Sequence, residues 1–139
     1  MAESTMINTN ARGIIKDVRG NMVILEVPGT SYEVHLLIDP SSHASELSAR
    51  KGKRMTGEMN AHGLKIEESH AGGKFIEPLQ GAPRIVAGSV IAKDDRRLCV
   101  DVSVPMWISL ESHQNSGEFE VGQMVNCYVK SGTSIQPRS

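Results

Sequence analysis

The chain has 139 residues, 39 % hydrophobic and 22 % charged, with a formal net charge of −1. Those values describe a folded globular chain of one ordinary domain or two very small ones rather than a disordered or membrane chain. No apolar run approaches the roughly 18 residues that span a bilayer, and near-neutral charge leaves only a local basic patch to support nucleic-acid binding.

The N-terminal MAESTMINTN has neither a basic n-region nor an apolar h-region, so a secretory signal is not expected and the expected location is cytoplasmic. From Gly13 the sequence GIIKDVRGNMVILEV leads into Val23, Leu25 and Val27, and then, past Pro28-Gly29, into Tyr32, Val34, Leu36 and Ile38. Both sets recur with period two, the pattern of half-buried strands. Helical periodicity is confined to a short piece from Ser42 to Arg50. Beyond it, KGKRMTGEM (Lys51 to Met59) alternates again, and Gly and Pro interrupt at Gly63, Gly72-Gly73 and Gly81-Ala82-Pro83. Short strands with frequent turn signals predict an all-β barrel or sandwich.

The second half repeats the first. GSVIAKDDRRLCVDV, from Gly88, matches GIIKDVRGNMVILEV with a constant offset of 75 (88 minus 13), so Val23, Leu25 and Val27 fall on Leu98, Val100 and Val102. YEVHL matches MWISL with Leu36 opposite Leu110, and KGKRMTGEM resembles VGQMVNCYV with Gly52 opposite Gly122. For the last strand, either Gly132 to Ile135 corresponds to Gly63 to Ile66, which makes 67–83 a linker or insertion, or the longer Gly132 to Pro137 corresponds to Gly73 to Pro78, which makes 60–72 an enlarged hairpin. The expected division is a first barrel over 10–80 and a second over 84–139, with the boundary near Gln80 to Arg84.

Five short strands in about 60 residues, with a polar connection between the third and fourth, fit a small Greek-key barrel of the OB type. The fold class expected is therefore all-β, two tandem small OB-like Greek-key barrels. Residues 11–38, with V-x-G-N-x-V-x-L-E-V and Y-E-V-H-L, resemble the N-terminal OB domain of the Holliday-junction RuvA family. The resemblance implies the fold and not the activity, because the helix-hairpin-helix signals of that family are absent. The spacing also resembles the tandem molybdate-binding and transporter-appended barrels, without a Ser/Thr-Lys oxyanion signature.

Candidate chemistry is sparse. His35, His43, His62, His70 and His113 show no zinc spacing, although His62 and His70 could meet across a hairpin. Cys99 and Cys127 lack C-x-x-C spacing and read as free thiols. No G-x-S-x-G elbow or complete phosphate loop occurs, so neither catalysis nor a cofactor is expected. For a barrel that binds single strands, the expected ligand residues are Arg50, Lys51, Lys53, Arg54, Lys93, Arg96 and Arg97, with Trp107 and Tyr128 as outward stacking platforms. Met22 and Ile24 make their strand apolar on its second face, which predicts burial against another barrel or another copy. The function expected is a non-enzymatic binding or scaffold module acting by association with a protein partner or with itself. Single-stranded nucleic acid and a small oxyanion are the alternative ligands, and no membrane association is expected.

Overall fold

Alternating buried and exposed side chains become eleven strands in a computed structural model that describes residues 8–40 and 44–138. Ser42 and His43 lie outside the described residues. The strands are β1 (Ala11–Arg19), β2 (Met22–Glu26), β3 (Glu33–Ile38), β4 (Arg54–Glu68), β5 (Phe75–Glu77), β6 (Gln80–Gly81), β7 (Ile85–Lys93), β8 (Arg97–Asp101), β9 (Pro105–Ser109), β10 (Met124–Val129) and β11 (Ser134–Arg138). The helix in the first polar connection, α1, covers Ala44–Ser48, and a single 3-10 turn at Ser116–Glu118 stands in the second. The chain is all-β in class, and no helix among the described residues is long and apolar enough to cross a membrane.

All the strands belong to one mixed sheet whose pairings close on themselves twice. The first ring runs β1-β2-β3-β11-β4 and returns to β1. The second runs β7-β8-β9-β4-β10 and returns to β7. In each ring only one neighbouring pair is parallel, β3 with β11 and β9 with β4. β4, 15 residues long, is therefore common to both rings: its N-terminal part pairs with β1 and β11, its C-terminal part with β9 and β10.

The repeat holds at the level of single pairings. The partners Ile14↔Glu26, Ile15↔Leu25, Asp17↔Ile24 and Val18↔Val23 recur as Ser89↔Asp101, Val90↔Val100, Ala92↔Cys99 and Lys93↔Leu98, all at the offset of 75, and the bulge after Ile15 recurs after Val90. The opening glycines have the same cause. A Cβ on Gly13 would stand 2.5 Å from Leu25 Cγ and 2.8 Å from the Glu26 carbonyl, and one on Gly88 would stand 1.9 Å from the Asp101 carbonyl. Both positions are where β1 or β7 crosses its hairpin partner too closely for a side chain. Gly52 and Gly122, at φ 85° and 97°, each donate a 2.7 Å hydrogen bond, to the Ile15 and Val90 carbonyls respectively.

Two sequence correspondences shift. Met22 faces Leu37 and Arg97 faces Ser109, so Leu36 corresponds to Ile108 rather than to Leu110. The cause is the turn: six residues separate β2 from β3, and three separate β8 from β9. In the fifth position, Ile135 opposite Met59 matches Gly63 opposite Val129, so the segment of Gly63 does correspond to that of Ile135, three residues away from the glycine-to-glycine alignment. The enlarged hairpin over 60–72 does not form, because β4 runs unbroken to Glu68. A cut between Gln80 and Arg84 separates strands that pair, since β11 lies in the first ring and the end of β4 in the second.

Inward side chains of both rings merge into one apolar cluster, including Ile15, Leu25, Leu36, Met59 and Ile135 from the first ring and Val90, Leu98, Met106, Ile108 and Cys127 from the second. Each side chain of that size, once buried, contributes roughly 1.5–3 kcal/mol. Tyr32 packs against the cluster as its alternation predicts, and its hydroxyl accepts a 3.2 Å hydrogen bond from the Ile76 amide.

Candidate functional site

The outward positions of the second ring are where stacking and phosphate contacts were expected. Trp107 does lie on the outer face of β9, but it is only 8 % exposed, because the Arg97 guanidinium sits 4.2 Å above its ring centroid. Arg97 is itself held by Asp94 at 2.8 Å, Glu58 at 3.3 Å and the Asn60 side-chain carbonyl at 3.2 Å. The platform is thus capped and the cation compensated, which leaves neither free for a base or a phosphate. The Asp94 carboxyl lies below its ordinary range: burial works against the charge, but the Arg96 amide and the Arg97 guanidinium outweigh it.

Neighbouring cations are also engaged internally. Lys93 donates to the carbonyls of Ser116 and Phe119, and Arg96 to those of Leu110, Glu111 and Gln114, so both fasten the connection between β9 and β10. In the first ring Arg50 donates to the Arg54 carbonyl and Lys51 pairs with Asp17 at 3.5 Å. Lys53 and Arg54 are exposed and form no ion pair among the described residues.

Ile24 needs no second copy to cover it, being 4 % exposed within a single chain; Met22 beside it is half-buried. The equivalent position of the repeat behaves alike: Ile24 corresponds to Cys99, which lies equally buried on β8. Burial pushes the Cys99 and Cys127 thiols up to about 12, so both are protonated and inert at neutral pH.

The parallel pairing of β4 and β9 places His62 opposite Ser109. Ser109 Oγ lies 3.1 Å from His62 Nδ1, and His62 Nε2 lies 3.0 Å from Glu111 Oε1, an interaction that holds the Glu111 carboxyl below its usual range. A hydroxyl, an imidazole and a carboxylate in a row are the parts of a hydrolytic triad, but a triad also needs a concavity with oxyanion donors beside the hydroxyl. Neither cleft described below includes these residues. The row joins β4 to β9 on the surface. β4 also keeps His62 from folding back on His70, and no group of three His, Cys, Asp or Glu among the described residues is placed to hold a metal.

Two clefts remain. One, of about 540 Å³, lies on the outer side of β4, β10 and β7, where Leu64 and Tyr128 are each 42 % exposed beside Ile85 and Pro78. Glu77 and Arg84 flank it and form no ion pair among the described residues. Tyr128 was legible as outward; Leu64 lies on the same outward face of β4 as His62, and the bulge beside it adds Lys65 to that face and turns Ile66 inward. The other cleft, of about 770 Å³, opens between the rings and includes Arg12 and Arg54. Arg12 escapes sequence reading because it is a lone cation between apolar neighbours. Comparison with family models, curated proteins and solved structures gives no match for this chain.

Proposed function

We propose that each ring is an OB-type Greek-key barrel with the two fifth strands exchanged, and that the protein is a non-enzymatic association module whose partner is a second copy of itself. Strand order 1-2-3-5-4-1 with strands 3 and 5 parallel supports the OB reading for both rings. The observation that carries the association reading is the Leu64–Tyr128 face. An exposed aromatic beside an exposed aliphatic residue in a shallow apolar cleft has the character of an interface anchor.

The choice of a second copy rests on charge. Glu77 and Arg84 flank the same apolar face and leave each other unpaired. A two-fold axis passing between these two neighbouring side chains would bring Glu77 of one copy to Arg84 of the other, twice, as a self-complementary interface requires. Light scattering of the wild type is expected to give twice the chain mass, and Tyr128→Glu, at an exposed position, to give the folded monomer. Glu77→Arg and Arg84→Glu each weaken the dimer, and together restore it. A monomeric wild type, or a dimer indifferent to Tyr128→Glu, contradicts the reading.

A further inference from the structure

We infer that the cleft between the two rings is a binding site for a small phosphate ester of about nucleotide size, held through its phosphate by Arg12 and Arg54. Arg12 faces Thr56 across β1 and β4, and Ile14 faces Arg54, so the two arginines are diagonal neighbours on one outward face. Such neighbours stand roughly 7–8 Å apart, a spacing that two guanidinium groups can bridge onto one phosphate. Their alternates, Ala11, Gly13 and Met55, are buried, so both side chains are confined to the cleft side.

Among the described residues no Asp or Glu lines the cleft and neither arginine forms an ion pair; Glu58, the other diagonal neighbour of Arg12, is taken by Arg97 and Arg138. The contrast with the same face a few residues on is direct: Arg138, opposite Thr56 from the other side, is paired with Glu58 at 3.3 Å, and Arg97 with Glu58 and Asp94. Two adjacent uncompensated guanidiniums repel each other, and a dianion between them removes that cost while gaining charge-assisted hydrogen bonds.

The remaining walls suit an organic body rather than a bare anion. Pro28, from the turn after β2, and Pro105, at the start of β9, line the cleft from opposite rings, and its volume of about 770 Å³ lies in the range of sites for small organic ligands. Ser103, also in the lining, is the one non-glycine residue with a left-handed backbone among the described residues, at φ 94°.

The test is calorimetric titration of the full chain with adenosine 5′-monophosphate, inorganic phosphate and adenosine. The monophosphate is expected to bind with Kd of about 10–100 µM, inorganic phosphate roughly tenfold more weakly, and adenosine more weakly still. Arg12→Gln with Arg54→Gln, both at exposed positions, should weaken the monophosphate at least about tenfold while the melting temperature of the free protein holds or rises. Equal binding by that variant, equal affinity for inorganic phosphate, or no heat at about 5 mM monophosphate overturns the site. An oligothymidylate that binds more tightly than the monophosphate, with a salt slope of more than two phosphates, overturns it in favour of a nucleic-acid strand. The Tyr128→Glu monomer should bind the monophosphate as the wild type does, which separates this site from the association face.

Discussion

Single side chains decide what this surface can offer. Arg97 shows how: one guanidinium covers the only tryptophan, joins β8 to β4 through Glu58 and Asn60, and is itself neutralised by Asp94. Alternation correctly turns Trp107 outward but carries no information about what lies above it, since the covering residue comes from a neighbouring strand. Lys93 and Arg96 are similar cases, because the backbone carbonyls they bind leave no trace in a sequence. The two cysteines were legible, as free thiols. Their folded pKa values exceed the ordinary 9.0, so the stability their burial confers is complete below pH 9 and is lost as pH rises from 9 towards 12. At pH 8 an aromatic disulfide reagent should therefore find no thiol in the native protein and both in denaturant. Rapid modification of either under native conditions would contradict the burial of both sulfurs.

Among the elements, β4 and β11 do what no other strands do. β4 keeps its alternation through the point where it leaves one ring for the other, with Met55, Gly57 and Met59 turned into the first and Ala61, Gly63 and Ile66 into the second. Period-two patterning fixes which face a side chain takes and is silent about which neighbour supplies the hydrogen bonds. That is why the strands, their repeat and the hairpin offset of 75 could be read from the sequence, whereas the exchange could not. β11 makes the point energetically. Its Ile135 is fully buried, opposite Met59 and beside Ile38. Ile135→Ala should cost about 2–5 kcal/mol in urea unfolding, whereas Gln136→Ala, on the outward face, should stay within about 0.5 kcal/mol. A loss below about 1 kcal/mol for Ile135→Ala would mean that the last strand is not part of a core.

For the molecule as a whole, the exchange turns two repeats into one body. Each half of the sequence provides four strands of one ring and the fifth of the other, and their cores merge into one cluster. Pairings that recur at constant offsets describe two similar units related by an approximate two-fold axis between β4 and the β10–β11 segment, where Met59 faces Ile135 and Gly63 faces Val129. Such a body needs no partner to cover Ile24, which moves the expected association face from the first hairpin to Leu64 and Tyr128. It also creates the cleft between the rings, a feature neither repeat has alone.

Disulfide trapping tests the exchange most directly. Leu37 and Ser109 occupy the same place in their rings, and Ser134 stands opposite Leu37. With the exchange, Leu37→Cys and Ser134→Cys put two thiols on adjacent parallel strands within the reach of a disulfide, while Ser109→Cys and Ser134→Cys do not. Mild oxidation of the folded protein should link the first pair within one chain and leave the second free. A bond in the second pair and none in the first would return β11 to its own repeat and contradict the account.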